Sequence, residues 1–360
     1  MRISRPAFYA FSVTAAAALL AACSGSGSPS SALAPTTGTN SSSVHIRSLS
    51  DRVTLTARVS KPVHSNHHKS WVSPDAARAP RILFISDDGT NQVNMYTMPG
   101  MVLKGQLTGF SEPQGMCTDA SGNIWVTNTG TESIIQLSRT GTTLKTLNVP
   151  GEFPVGCAVN RANNDLAVTN IIATTGGAGS VDVFTNATGT PTKFTSSSVT
   201  EFFFPTYDNA GNLFLDGEGG AGYALSELAA GSSSITNVTV SGGTLFFPGG
   251  LNWDPATSSV ILGDQECNGQ AASCLYSATV SGGVATITGV TVLLDASGQS
   301  AGDVDQWAIA PQGRYVAAGI ISQDSNSSSL ARWAFPAGGE PINFNGTTLS
   351  EPIGTAISNK

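Results

Sequence analysis

Glu112-Pro113-Gln114-Gly115-Met116-Cys117-Thr118-Asp119-Ala120-Ser121-Gly122-Asn123-Ile124-Trp125-Val126-Thr127-Asn128 carries the pattern on which the fold depends. A short apolar-and-small run meets a polar turn with Gly-Asn. A second run then alternates apolar and polar and ends on a carboxamide. This predicts two antiparallel strands joined by a tight turn. The pattern returns, degraded, along the chain. Ile82-Leu83-Phe84-Ile85-Ser86-Asp87 matches Ile124 to Asn128, and each is followed by a further alternating strand, Gln92 to Tyr96 or Ser133 to Leu137.

Further copies open at Pro154, Thr206, Pro248 and Trp307, and their second strands include Leu166-Ala167-Val168-Thr169-Asn170 and Val260-Ile261-Leu262-Gly263-Asp264. The units stand roughly 41 to 56 residues apart, with about four strands each. That period marks the blades of a β-propeller, which limits exposed sheet edges by radial repetition. Ser350-Glu351-Pro352-Ile353-Gly354 copies Ser111-Glu112-Pro113-Gln114-Gly115 but has no second strand after it. The unit at Arg81 has a second strand with no inner strand before it. The C-terminal strand is therefore expected to complete the first blade. The fold predicted over 81–360 is all-β, a six-bladed propeller of four-stranded antiparallel blades. The loosely patterned stretch from Tyr276 to Asp303 leaves five or seven blades open.

Composition agrees with an extracytoplasmic all-β chain rich in turns. Of 360 residues, 40 are Gly and only 11% are charged. The net charge of -7 hides an asymmetry: 81–360 holds 22 acids and 9 bases, whereas 1–80 holds 8 bases and 2 acids. An acidic body argues against a nucleic-acid partner, because phosphate binding needs clustered Lys and Arg. Residues 24–80 are rich in Ser, Thr and Pro and read as a disordered tether. Val53 to Val59 alternates like a strand but stands alone. His64, His67 and His68 lie close together, read here as part of a solvated basic linker rather than a metal site. Trp71 and Val72 are expected to dock on the body.

At the N-terminus, Arg2 and Arg5 precede an apolar run from Ala7 to Leu20, followed by Leu20-Ala21-Ala22-Cys23. A charged start, a short apolar stretch and small residues before the cut define an export signal over 1–23. Leu-Ala-Ala-Cys resembles the lipobox of bacterial lipoproteins. The resemblance implies that Cys23 is diacylated and anchors the protein to the membrane. Ser24, rather than Asp, then implies the outer membrane, on its periplasmic or surface face.

Glu112 to Leu137 resembles an NHL-type repeat: a Pro-x-Gly start, a Gly-Asn turn, a short apolar strand ending in Asp or Asn, then an Ile-rich strand. The resemblance covers 81–357. It implies the fold, while propellers of this kind include binding scaffolds, lactonases and lyases. Asp87, Asn128, Asn170 and Asp264 end second strands, and Glu112 and Glu351 enter inner strands, so all six are expected at one mouth of the channel. This is similar to the gluconolactonase and senescence-marker family, whose Glu, Asn and Asp residues hold a divalent metal that polarises a lactone. By that resemblance the six residues would hold Ca²⁺ or another divalent ion. The competing reading makes these oxygens caps for backbone N–H groups. The chain also resembles virginiamycin B lyase, which uses a His base. Here His45, His64, His67 and His68 all precede the propeller, so that chemistry and Ser-His-Asp or Cys-His catalysis are not expected.

Four cysteines follow Cys23. Cys267 and Cys274 are seven apart and are expected to staple one loop. Cys117 and Cys157 fall on consecutive inner strands. A bond is open to them if the strands approach closely enough, the alternative being two buried thiols. Gly217 to Gly222 reads as a loop between strands, and Phe202-Phe203-Phe204 with Phe246-Phe247 as packing between blades. The function expected is a monomeric, non-catalytic binding module whose partner is an envelope protein, peptide or glycan. A metal-dependent lactonase is the alternative.

Overall fold

The computed structural model describes residues 69–269, 272–310, 313–321, 328–346 and 349–359. Contacts divide the chain into Met1–Asn40 and Ser41–Lys360, and every described element belongs to the second unit. The export signal with Cys23, the strand expected at 53–59 and all four histidines lie outside the described residues.

The described chain is all-β, broken only by 3-10 turns of three to five residues. The first sheet holds β1 (Trp71–Val72), β2 (Arg81–Asp87), β3 (Gln92–Met98) and β4 (Leu103–Leu107). Trp71 and Val72 do dock on the body, pairing with Gln106 and Gly105 at its outer edge. The second sheet is a meander of β5 (Pro113–Thr118), β6 (Ile124–Asn128), β7 (Ser133–Leu137) and β8 (Thr143–Asn148). The third comprises β9 (Glu152–Val159), β10 (Leu166–Ala173), β11 (Ala178–Phe184) and β12 (Thr192–Phe194).

Two further meanders follow. One is β13 (Glu201–Tyr207), β14 (Leu213–Gly219), β15 (Gly222–Leu228) and β16 (Thr236–Ser241). The other is β17 (Pro248–Asp254), β18 (Ser259–Asp264), β19 (Cys274–Ser281) and β20 (Val284–Val292). They merge into one eight-stranded sheet because the outer strands β16 and β20 pair in parallel, Thr239 opposite Val284. The loosely patterned stretch after Tyr276 thus includes a long outer strand that reaches its neighbour. The last sheet holds β21 (Trp307–Ile309), β22 (Tyr315–Ile320), β23 (Ser329–Ala334) and β24 (Asn343–Gly346). The final strand, β25 (Pro352–Asn359), returns to the first sheet and pairs antiparallel with β2, Phe84 opposite Ala356.

Alternation sends one side of each sheet into the next. Trp125, Trp307, Trp333, Phe84, Phe153, Phe184 and Phe202 are fully buried between sheets. Phe203, Phe204 and Phe247 are buried as expected, with Phe203 and Phe247 edge-to-face at 5.4 Å, whereas Phe246 is 41% exposed. The Pro-x-Gly starts acquire a physical reason. A Cβ at Gly115 would lie 2.3 Å from Val155 O, at Gly156 2.3 Å from Phe203 O, and at Gly354 2.1 Å from Gln114 O. Inner strands pack backbone against backbone here, where only Gly fits. The same reason corrects the reading of 217–222. Strand β14 continues to Gly219, and a Cβ at Gly217 would fall 2.0 Å from Glu201 O, so the glycines belong to a tight hairpin.

Both disulfides are present. Cys117–Cys157 joins β5 to β9 with Cα atoms 5.6 Å apart, and Cys267–Cys274 closes the loop before β19.

Candidate functional site

Of the residues expected to end second strands, Asp87, Asn128 and Asp264 do so, whereas β10 runs past Asn170 to Ala173; their hydrogen bonds show what occupies them. Asp87, at the end of β2, accepts from Glu351 N at 2.8 Å and Ser350 N at 3.0 Å. Asn128, at the end of β6, accepts from Ser111 N at 2.7 Å. Asp264, at the end of β18, accepts from Phe247 N at 3.0 Å, Phe246 N at 3.2 Å and Glu266 N at 3.0 Å. Asp216 on β14 does the same for Phe204 N at 2.7 Å. Asp87, Asn128 and Asp264 clasp the segment entering the inner strand of their own sheet, and Asp216 clasps β13 itself. Asp264 holds its own turn as well, through Glu266 N. Burial pushes the Asp87 and Asp264 carboxyls up, against the downward pull of these N–H groups, and Asp216 is raised well above the ordinary value by burial.

Asn170 departs from the pattern. Its Nδ2 donates to Asp182 Oδ2 at 2.8 Å and to Ser180 Oγ at 3.0 Å, within β10 and β11. Lys193 pairs with Glu152 nearby. Glu112 donates its N–H to Asn91 Oδ1 at 2.6 Å, and Glu351 is buried beside Asp87. Among the described residues no group of three or more His, Cys, Asp or Glu is placed to hold a metal ion. Asp87, Asn128 and Asp264 act in the structure as acceptors for backbone N–H groups.

A cavity opens among other residues. A volume of about 690 Å³ is lined by the C-terminal halves of β5, β9, β13, β17, β21 and β25 and by the turns that leave them. Its size falls within the roughly 300–1,000 Å³ usual for ligand sites. Gln306 lines it and ties separate strands together. Gln306 Oε1 accepts from Met116 N at 2.8 Å and Thr355 N at 2.9 Å, and Nε2 donates to Met116 O at 2.9 Å.

The rim is polar and aromatic. Asp208 Oδ1 accepts from Ala210 N at 2.9 Å and Asn212 N at 2.8 Å, and Oδ2 accepts from Asn212 Nδ2 at 2.8 Å. Asp254 is likewise held by Ala256 N at 3.0 Å and Thr257 Oγ1 at 2.8 Å. Trp253 and Tyr207 are half-buried in the wall, and burial raises the Tyr207 hydroxyl. Trp253 Nε1, Trp307 Nε1 and Thr355 Oγ1 are buried without a hydrogen-bond partner. None of these wall residues belongs to a site motif in the sequence. The available signal was Asn252-Trp253-Asp254, an aromatic and an amide at the end of an inner strand.

Comparison with known proteins places the fold. Residues 86–172 match the family model described as SMP-30/Gluconolactonase/LRE-like region. No curated protein matches the chain. A solved nidogen/laminin complex shares 11% identity, covering 77% of this chain and 98% of the other at a TM-score of 0.59. TolB from Acinetobacter baumannii shares 14%, with 80% and 68% covered and a TM-score of 0.56. A catalytically inactive virginiamycin B lyase from Staphylococcus aureus, solved with quinupristin, shares 12%, with 79% and 91% covered at 0.52. The described chain is a β-propeller.

Proposed function

We propose that this chain is an exported lipoprotein, anchored through Cys23 and carrying a six-bladed propeller that serves as a binding module. The six-bladed reading rests on six four-stranded meanders, with β25 counted as the inner strand of the first. Lipid anchoring rests on Leu20-Ala21-Ala22-Cys23, and the outer-membrane address on Ser24. The acidic body disfavours nucleic acid. A monomer that meets an envelope protein, peptide or glycan fits this reading.

The observation that carries the binding function is the 690 Å³ cavity into which six strands send their ends. A stable concave site with mixed walls is what a ligand needs, and the rim carboxylates are already saturated by their turns. The second reading, a metal-dependent lactonase, draws on the family match over 86–172. Under it, Asp264 and its companions would trade backbone partners for a divalent ion.

One experiment separates the two. The soluble fragment from Ser24 is screened by thermal melts against envelope glycans, peptides and small molecules, and separately against Ca²⁺, Mg²⁺, Mn²⁺ and Zn²⁺ after chelation. Binding to the folded state raises the midpoint by mass action. A binding module responds to a ligand without metal, and the response disappears in Ala162→Trp, an exposed turn position at the cavity rim. Metal-dependent stabilisation with lactone turnover, both lost in Asp264→Ala, would overturn the binding reading.

A further inference from the structure

We infer that the cavity takes a neutral carbohydrate, recognised by Trp253 and the carboxamides around it. This rests on the binding reading above and names its ligand class. The first argument is charge. Asp208 and Asp254, the acids of the rim, already accept the N–H and O–H groups of their own turns. A cationic ligand would have to compete with those bonds. Among the described residues Arg161 is the one basic side chain of the lining. It gives no paired cationic clamp for a phosphate or sulfate, which takes several donors in a fixed geometry.

The second argument is the kind of polar group left over. Asn209 is exposed at the rim and makes no hydrogen bond to the protein among the described residues. Asn252 uses its Nδ2 on Trp307 O at 3.0 Å, leaving its carbonyl oxygen. A carboxamide both donates and accepts, as does a hydroxyl, so amides match vicinal hydroxyls without requiring charge on either side.

The third argument is the aromatic wall. Trp253 and Tyr207 are half-buried residues of the same cavity wall, each packed in part against the apolar core. Such rings offer an apolar body next to a polar tip, suited to a ligand with one apolar face and hydroxyls at its edge. A pyranose has that character. The Trp253 Nε1 donor is buried without an acceptor. An unpaired buried donor is costly, so a ligand oxygen that reaches it is favoured. Binding should therefore change indole fluorescence.

The test titrates the fragment from Ser24 with neutral gluco-, galacto-, manno- and N-acetylhexosamine oligosaccharides at millimolar concentration. Tryptophan fluorescence and saturation-transfer NMR are read together. At least one series is expected to saturate both signals. Affinity should fall at least tenfold in Trp253→Ala and in Ala162→Trp, and severalfold in Asn209→Ala. The last two sit on exposed turns and guard against loss of fold in the first. Absence of saturable binding across the panel overturns the carbohydrate inference. If a peptide binds instead and Ala162→Trp abolishes it, the binding module stands and the carbohydrate inference fails. Metal-dependent lactone turnover lost in Asp264→Ala, with no cavity ligand, removes both.

Discussion

Gln306, just before β21, and Met116 on β5 exchange two hydrogen bonds although β5 and β21 share no sheet: Met116 N donates to Gln306 Oε1 at 2.8 Å, and Gln306 Nε2 donates to Met116 O at 2.9 Å. The same Oε1 takes Thr355 N at 2.9 Å, so one carboxamide joins the segment entering β21 to both β5 and β25. All these groups are buried, and removing the amide leaves three backbone groups without partners. Gln306→Ala is expected to destabilise the fold by about 3 kcal/mol or more, since each of the three stranded buried groups costs roughly 1–3 kcal/mol. Gln306→Glu can still donate to Met116 O when protonated but buries a charge against it when ionised, so its stability should fall as pH rises. Urea denaturation of the three proteins measures this. A Gln306→Ala protein within about 0.5 kcal/mol of the parent, the range of ordinary surface changes, would mean the amide holds nothing together.

The inner-strand glycines make a sharper prediction, because the obstacle is backbone. A Cβ at Gly354 would stand 2.1 Å from Gln114 O and 2.6 Å from Ser86 Oγ. Gly354→Ala must push two strands apart, and overpacking of this kind costs about 1–3 kcal/mol or more. Gly220→Ala is the control, since nothing lies within 4 Å of its added Cβ. Thermal melts should show a clear loss for the first and almost none for the second. Equal midpoints would contradict the close approach of β25 to β5.

These glycines also show how far the sequence could be read. The Pro-x-Gly recurrence and the alternating second strands exposed the blade period, because both arise from local needs: a backbone contact that excludes Cβ, and a strand with two buried faces. The C-terminal return was legible for the same reason, as Ser350 to Gly354 repeats Ser111 to Gly115. The location of the cavity was not. Asp87, Asn128 and Asp264 read as ligands because side-chain oxygens at strand ends suggest them, yet backbone N–H groups of adjoining segments bond to them. Such pairing is set by the meander, not by neighbours in sequence. Trp253 and Gln306 escaped notice because an indole or an amide in a strand end carries no signal until six such ends converge. Gly217 to Gly219 looked like a loop because composition alone does not reveal that a neighbouring carbonyl excludes side chains.

Asp216 predicts a pH dependence. Its Oδ1 accepts from Phe204 N, its Oδ2 is buried without a partner, and burial raises its carboxyl well above the ordinary value. Because the folded state holds the proton more tightly than the unfolded chain, its contribution to stability is full below the unfolded value of 3.8 and is lost as pH rises through the folded value. Asp216→Asn keeps the shape and the acceptor without the titration. The mutant should match the parent in acid and exceed it by about 1–3 kcal/mol above neutrality, the range for a buried polar group left unsatisfied. The charge on Asp216 also helps to hold the buried Tyr223 hydroxyl up, so the mutant should relax that shift in part. Stability curves for the two proteins from pH 4 to 9 check this, and parallel curves would reject it.

The two disulfides should differ in what they contribute, because they close different lengths of chain. Cys117–Cys157 spans 40 residues and ties one inner strand to the next, whereas Cys267–Cys274 spans seven within one meander. If a cross-link acts mainly by restricting the unfolded chain, the first is worth about 4 kcal/mol and the second about 2 kcal/mol. Replacing each pair by Ala therefore predicts the larger loss for the first. The second pair adds a local effect, since Cys267 and Cys274 are buried beside Tyr276. Limited proteolysis distinguishes the two consequences. Loss of the short link should open a cut near 267–274 while the remaining chain stays resistant, whereas loss of the long link should lower the global midpoint without creating one preferred cut. A larger global loss from the short link would show that strand-to-strand tethering between β5 and β9 adds little beyond their packing.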